Sequence, residues 1–538
     1  MVREGNSLLL HNGRVIGLAE AARGATAVLV VEGRIKAVGA DGAVRAAAPR
    51  GVPAVDLEGR TVVPGFIDSH LHLLNFGLYL QRLDLIGVKS LAELTRLVAE
   101  KHAALPAGDW VLGRGWDQDL FAEKRYPSRR DLDAVAPDRP VALTRACGHA
   151  LAANSEALRR AGVARETPDP AGGQIDRDET GEPTGIFRER AMGLMTRVIP
   201  KPGANELATA LRAAVGQALA AGVTSVHSDD CGAFGFGPVL GLYRGHLGPE
   251  GLPFRVHVDV SNEAIGDLLA TDLRTGSGNE FVQVGSVKMF ADGSLGAGTA
   301  ALSEPYNDNP GSRGIPVVTP EQMKENVLRA HRSGMQVAVH AIGDLAIAMT
   351  LDAYEAALAD RPRPDHRHRI IHGQIMRPEQ FERFARLGVV ADIQPKFITT
   401  DMRWAERRVG PRRIRTSYAW RTFLDHGVHC AGGSDCPVEP LDPVLGLYSA
   451  VTRQDLEGHP REGWLPDQRL TAEEALRLFT LGGAYAAFEE KDKGSIEPGK
   501  LGDLVVLDRD PTAIPGSELK DLRVEMTIVG GRMAFRRD

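Results

Sequence analysis

The sequence predicts an α/β protein with a (β/α)8 barrel and a small β-domain formed by its two ends. Three features predict this: four repeated units of helix, glycine and β-run, eight candidate strands, and β-rich runs at both ends. Helices that alternate with strands are typical of parallel strands joined by crossover helices. Eight strands favour a closed barrel, and a doubly wound open sheet stays an alternative.

The four repeated units show where the barrel elements lie. In each unit a helical pattern ends at a glycine, and a β-run follows almost at once; the glycines are Gly222, Gly334, Gly388 and Gly427. Glycine closes a helix in the left-handed backbone conformation without a steric penalty. We expect the eight strands to begin near Thr61, Val223, Phe254, Gln283, Met335, Arg369, Val389 and Val428.

The domain boundaries follow from where this alternation stops. Residues from about 108 to 200 do not follow it, and we predict that they form an insertion after the first barrel strand. Short β-runs with glycine-based turns at both ends, such as Ala27–Val31 and Asp503–Leu507, indicate antiparallel sheet. We therefore predict a composite β-domain of residues 1–61 and 489–538, and a barrel of residues 62–488.

Composition and charge argue against several classes of protein. The 538 residues are 43% hydrophobic and 25% charged, which is ordinary for a globular protein. A formal net charge of −6 argues against a nucleic-acid partner, and the longest apolar runs are too short to cross a membrane. The first residues lack a signal-peptide pattern, and the four cysteines lack paired spacing. We therefore expect a reduced, cytoplasmic protein.

Side chains that can bind a metal ion fall on or just after the predicted strands. Six of them do so: His70, His72, Lys288, His340, His372 and Asp435. Barrel enzymes place their sites at the carboxyl ends of the strands, where distant parts of the chain converge. Residues i and i+2 of a strand share a face, so His70 and His72 can bind one ion together.

Each of these residues alone has a more ordinary interpretation. A single histidine is more often a buried, hydrogen-bonded residue than a ligand. Lys288 alone would be a paired or snorkelling lysine, and Asp435 alone would cap a turn or a helix. A second His-x-His, His366-Arg-His368, is interpreted as a solvated loop before a strand. The ordinary interpretations do not explain six such residues in equivalent places, so we predict a metal site.

The segments around these residues resemble a known family. The segments are Pro64–His72, Lys288–Gly296, His340–Asp344, Ile371–Gln374 and Gly433–Pro437. They are similar to those of the amidohydrolase superfamily, in the branch (amidohydrolase family 3) that includes N-substituted formamide deformylase. Further matches, among them Gly494–Leu504, cover almost the whole chain. The combination is specific for the superfamily and does not identify a substrate.

The resemblance implies a TIM barrel, a β-sandwich built from both termini, and one or two divalent metal ions, for which zinc is expected. It implies that His70, His72 and Asp435 bind one ion and that His340 and His372 bind the other. Lys288 would carry a carboxylate on its amine, as N6-carboxylysine, and bridge the ions. The chemistry is consistent, because an ammonium cannot bind a cation whereas a carbamate offers an anionic oxygen.

The resemblance also implies a function. We expect hydrolysis of a non-peptide carbon–nitrogen bond in a small-molecule amide, such as an N-substituted formamide or another N-acyl compound. A metal-activated water would attack, with Asp435 as general base and then acid. His149 and Asp292 flank the site in the resembling pattern and are expected to contact the substrate. A structural hydrogen bond is the alternative role for both residues.

Two other functions stay open. A heterocycle or nucleobase aminohydrolase (deaminase) of this superfamily typically has His-x-x-Glu after the fifth strand, where this chain has Gly343 in place of the glutamate. A non-catalytic scaffold would be expected to lose metal ligands, and here all six positions are filled. We expect a small molecule as the partner and a homodimer as the assembly, since twofold dimers are the commonest oligomers.

Overall fold

Eight parallel strands form the largest sheet of the computed structural model, which describes residues 5–106, 108–118, 120–145, 150–170 and 173–538. Each strand pairs with the next one along the chain. The Asp68 carboxylate on the first strand accepts the Ser434 N–H, just after the last strand, at 3.1 Å. The sheet is therefore a nearly closed barrel. Its strands are β1 (Phe66–Leu71), β2 (Val223–Ser228), β3 (Arg255–Ser261), β4 (Val282–Phe290), β5 (Val337–Ala341), β6 (Arg369–His372), β7 (Val390–Ile393) and β8 (Cys430–Gly432).

The helices around the barrel begin and end as the sequence signals predict. The four junction glycines, Gly222, Gly334, Gly388 and Gly427, have φ angles of 81°, 79°, 68° and 72°. Thr319 and Thr471 each form a capping box with the residue three positions later. No helix in the described part of the chain is both long and apolar enough to span a bilayer.

The chain divides into two compact units, Met1–Phe76 with Leu211–Asp538, and Gly77–Ala210. The helices Leu73–Gln81 and Ala204–Ala220 run across the two boundaries. The other α-helices of the barrel-containing unit are Asp41–Ala47, Cys231–Phe234, Phe236–His246, Ile265–Leu269, Pro320–Arg332, Asp344–Asp360, Pro378–Leu387, Ile398–Asp401, Ala405–Arg413, Trp420–Asp425, Pro443–Thr452, Ala472–Arg477 and Gly483–Ala486.

Both ends of the chain contribute strands to this unit. A four-stranded sheet has the order Arg34–Gly39, Ala27–Val31, Leu8–His11 and Ala54–Asp56. A five-stranded sheet has the order Arg14–Val15, Thr61–Pro64, Leu504–Leu507, Val524–Val529 and Arg532–Arg536. Strands from the start and the end of the chain therefore lie side by side.

The first barrel strand begins later than predicted. Thr61–Pro64 is a strand of the five-stranded sheet, where it pairs with Leu504–Leu507, and β1 starts only at Phe66. Gly65 lies between the two strands, and the position requires glycine because a Cβ there would lie 2.4 Å from Thr224 Oγ1. The single β-run in the sequence is thus divided between two sheets.

The unit Gly77–Ala210 contains a six-stranded sheet. Its strands, in sheet order, are Gly173–Arg177, Pro183–Glu189, Ala150–Ala153, Val141–Arg145, Val111–Trp116 and Leu83–Asp84, and its helices are Leu91–Ala104, Arg129–Asp133, Ser155–Ala161 and Met192–Thr196. Trp116 is fully buried and its indole donates to the Leu143 carbonyl at 2.8 Å. The unit starts before residue 108 because Leu83–Asp84 pairs with Val111–Trp116.

The prediction of a solvated loop at His366-Arg-His368 was wrong. His366 and His368 are buried, and the His368 ring lies 5.0 Å from the Tyr354 ring. His331, on the helix Pro320–Arg332, contacts His368 with a ring-centroid distance of 5.1 Å. The loop is buried because the neighbouring helices supply partners for both rings.

Candidate metal centre

Three of the predicted ligands meet at the carboxyl ends of the barrel strands. His70, His372 and Asp435 each offer one ligand atom, and these atoms lie within 4.8 Å of one another. Asp435 Oδ1 is 3.4 Å from His70 Nε2 and 3.3 Å from His72 Nε2. The Asp435 carboxylate, in the loop after β8, thus lies close to imidazoles at the ends of β1 and β6.

Backbone hydrogen bonds connect the segments that carry these residues, and the backbone there is locally strained. His372 and Asp435 have φ angles of 79° and 57°, in the left-handed region that side chains seldom adopt. The Asp435 N–H donates to the His70 carbonyl, and the His72 N–H donates to the Cys436 carbonyl, both at 2.8 Å. Such strain persists only where the surrounding structure imposes it, and it is concentrated at functional sites.

In three of these histidines, one ring nitrogen contacts an oxygen of the protein, and this contact orients the ring. The contacts are His72 Nδ1 to the Asp229 carbonyl at 2.8 Å, His340 Nε2 to the Gly293 carbonyl at 3.1 Å, and His372 Nδ1 to Gln394 Oε1 at 2.7 Å. A ring that donates one N–H to an oxygen keeps a lone pair on its other nitrogen, the arrangement found around metal-bound histidine. His70 Nδ1 is buried and has no partner among the described residues. This donor set fits a divalent cation such as zinc, which prefers nitrogen and carboxylate ligands.

Lys288 and His340 lie beside this cluster. The Lys288 side chain is buried and its Nζ donates to Asp229 Oδ2 at 2.9 Å. The His340 and His372 ring centroids are 4.5 Å apart. All six predicted ligands therefore belong to one connected region, and the division of ligands between two ions stays a prediction.

The electrostatics of the cluster suit cation binding. Burial lowers the pKa of His372 to about 4 and holds the pKa values of His70 and His340 well below their usual range. Burial raises the pKa of Asp435, but the His72 hydrogen bond and neighbouring positive charges lower it overall. Burial lowers the pKa of His72, yet the contact with Asp435 raises it to about 9. Neutral His70, His340 and His372 and an ionised Asp435 are the protonation states that metal binding requires, and His72 would release its proton when an ion binds.

Asp292 holds two loops together in this structure. Its carboxylate accepts the Ala301 and Gly343 N–H groups at 2.8 Å and the Ile342 N–H at 3.0 Å. Burial raises the pKa of Asp292 to about 7, although these backbone donors lower it. The contacts support the structural alternative, and a substrate contact stays a prediction. The other predicted substrate contact, His149, lies outside the described residues.

Sequence reasoning missed three residues of this region. Asp229 lies directly after β2 and contacts both His72 and Lys288, and Gln394 lies directly after β7 and orients His372. Both occupy the strand-end position that identified the histidines, so the signal was present. Asp68, on β1, accepts the His70 N–H and the Ser434 N–H, both at 3.1 Å, and links β1 to the Asp435 loop.

An exposed apolar side chain lies next to the cluster. Phe290, the last residue of β4, is 47% exposed, and its ring centroid is 5.2 Å from that of His340 and 4.2 Å from Lys288 Nζ. Val438, three residues after Asp435, is 63% exposed. Phe290 therefore offers an apolar surface beside the cluster to a bound molecule.

Comparisons with known proteins agree with this geometry. Residues 54–535 match the model of a family described as "Amidohydrolase family". The chain is 37% identical to the "Putative amidohydrolase YtcJ" of Bacillus subtilis, over 98% of this chain and 99% of that protein. It is 32% identical to the "N-substituted formamide deformylase" of Arthrobacter pascens, over 95% of both chains. An uncharacterized metal-dependent hydrolase of Pyrococcus horikoshii has a similar structure, with a TM-score of 0.78, 30% identity, and coverage of 95% of this chain and 99% of that one. This chain belongs to the amidohydrolase family.

Proposed function

We propose that this protein is a metal-dependent hydrolase that cleaves a non-peptide carbon–nitrogen bond of a small-molecule amide. The convergence of His70, His372 and Asp435 within 4.8 Å at the barrel mouth is the observation that carries this proposal. Family membership supports hydrolysis as the reaction class. The relative named N-substituted formamide deformylase supports an N-substituted formamide or another N-acyl compound as the substrate.

The proposed cofactor is a divalent cation, with zinc as the first candidate. His70, His72 and Asp435 would hold one ion, and His340 and His372 would hold a second, with carboxylated Lys288 between them. When bound, such an ion lowers the pKa of a water molecule and polarises a carbonyl group.

The protein's own residues would move the proton and position the substrate. Asp435 would take one proton of the attacking water on its carboxylate and return it to the amine nitrogen as the carbon–nitrogen bond breaks. The water oxygen stays on the carbonyl carbon, so the products are a carboxylic acid and an amine. Phe290 would contact an apolar substituent of the substrate, and Asp292 and His149 stay proposed substrate contacts.

The experiment is a screen of N-formyl, N-acyl and cyclic amides with zinc-loaded enzyme and its Asp435→Asn variant. The variant should bind nearly as much zinc, while turnover falls by about 10²- to 10⁴-fold, the usual contribution of a general base. Asp425→Asn, at the end of the helix Trp420–Asp425, is the matched control and should keep full activity. Full activity of Asp435→Asn would remove Asp435 from this role, and ammonia release from heterocycles alone would favour a deaminase.

We also propose that the two terminal sheets form a β-sandwich. One hydrophobic cluster supports this, because it combines Leu8 and Val30 of the four-stranded sheet with Val62, Leu504 and Ile528 of the five-stranded sheet. A cytoplasmic location and a homodimeric assembly stay predictions.

A further inference from the structure

The unit Gly77–Ala210 contains a cavity that the proposed reaction does not use. Its volume is about 480 Å³, within the range of small-molecule sites. Leu78, Leu105, Leu112 and Ile199 supply an apolar wall. The cavity can therefore enclose an apolar group of a few carbon atoms.

Trp110, at the wall of this cavity, has an unused hydrogen-bond donor. The residue lines the cavity and is only 8% exposed, and its Nε1 has no acceptor among the described residues. Leaving a buried donor unpaired is unfavourable, so such a group in a native structure requires an explanation. An acceptor atom on a bound molecule would pair with this donor and explain why it is unpaired here.

Two arginines without partners lie at the same side of the sheet. Arg82 lines the cavity, and in the described part of the chain neither Arg82 nor Arg114 has an ion pair or a side-chain hydrogen bond. The parallel pairing of Leu83 with Gly113 places Arg82 beside Leu112. Arg114 is two residues beyond Leu112 and so lies on the same face of its strand.

The charges of these arginines interact. Desolvation and then the Arg114 cation lower the pKa of Arg82, whereas Glu206 raises it. Glu206 forms no ion pair with Arg82 among the described residues, so the two neighbouring cations can still attract an anion. Asp109 and Glu206 also line the cavity and disfavour a second negative charge on the same ligand.

We propose that this cavity binds a small apolar monocarboxylate. The apolar part of the ligand lies against Leu105, Leu112 and Ile199. The carboxylate pairs with Arg82, near Arg114, and the Trp110 indole donates to an oxygen of the ligand. This site is separate from the proposed function and does not depend on it.

Isothermal titration of the full-length, zinc-loaded protein tests the ligand class. The probes are hexanoate, its neutral counterpart hexanamide, and the dianion adipate. We expect saturable binding of hexanoate. Hexanamide should bind about tenfold or more weakly because it lacks the charge-assisted hydrogen bond. Adipate should also bind more weakly, because Asp109 and Glu206 repel its second carboxylate. No saturable hexanoate binding, or equal binding of hexanamide, would overturn the proposal.

Three variants locate the binding and separate it from the metal centre. Arg82→Gln should weaken hexanoate about tenfold without affecting hexanamide, and Trp110→Phe should weaken both while keeping the ring. Arg96→Gln removes an equal charge from an exposed pair with Glu100 and should leave hexanoate affinity unchanged. Unchanged affinity in Arg82→Gln or in Trp110→Phe, each checked by circular dichroism, would overturn the assignment to this cavity.

Discussion

Acidification is expected to destabilise the protein through buried histidines at the amino-terminal end of the barrel. His368 Nδ1 accepts the Val337 N–H at 3.0 Å, and His368 Nε2 lies 2.9 Å from His331 Nδ1. His331 Nε2 in turn donates to the Arg361 carbonyl at 2.8 Å. Each ring therefore uses one nitrogen as donor and the other as acceptor, which only a neutral imidazole can do.

His366 completes this group, because its Nδ1 accepts the His368 N–H at 2.9 Å and its Nε2 donates to the Leu387 carbonyl at 2.7 Å. Burial lowers the pKa of His331, His366 and His368. In the unfolded chain these rings take up protons below about pH 6.5, so the unfolded state binds more protons in acid. The stability is therefore present above about pH 6.5 and is lost as the pH falls below that value. At about pH 5.5 a ring that stays neutral in the folded protein costs up to about 1 kcal/mol, and the three rings act in the same direction.

Unfolding in urea at about pH 7.5 and about pH 5.5 measures this loss, and hydrogen exchange at the Val337 amide reports the His368 contact directly. His331→Gln, His366→Gln and His368→Gln should each reduce the pH-dependent loss, by up to about 1 kcal/mol. The matched control is His459→Gln, because the His459 side chain is 70% exposed. Equal stability at both pH values, or an unchanged pH dependence in all three variants, would refute the reasoning.

Three further predictions concern the candidate metal centre. Asp229→Asn should lower activity about 10- to 100-fold with the fold intact, because the carboxylate holds Lys288 at 2.9 Å; wild-type kinetics would show that this contact is dispensable. Phe290→Ala should lower kcat/KM about tenfold for amides with an apolar substituent and far less for polar ones, and an equal loss for both would contradict the proposed contact. Dialysis against a chelator should abolish activity and lower the melting temperature, and added zinc should restore both; activity that survives complete metal removal would argue against a metal-dependent reaction.

Much of the site was predictable because parallel barrel strands share a direction. His70, His340 and His372 were identified as strand-end residues, and strand ends meet at one face of a barrel. The barrel itself was predictable from the glycines that end its helices, and each of those glycines has the left-handed backbone expected of it. These signals are local in the sequence, so they can be recognised without knowledge of tertiary contacts.

The features that were missed depend on tertiary contacts. Asp229 and Gln394 also follow strands directly, but such residues are common there, and their partners become clear only in three dimensions. His366 and His368 lie in a charged stretch of sequence, which indicated exposure to solvent, yet neighbouring helices bury them. The need for glycine at position 65 has the same origin, because it depends on the approach of Thr224 from another strand.

The pairing of Thr61–Pro64 with Leu504–Leu507 has a consequence for the order in which the fold forms. The Gly65 N–H, at the entrance to β1, donates to the Asp503 carbonyl at 2.9 Å. During synthesis His70 and His72 leave the ribosome long before the strand that anchors them, and contacts over such separations form slowly. The entrance to β1 is therefore fixed only after nearly the whole chain has been made, and a chain that lacks its last strands leaves β1 without this anchor.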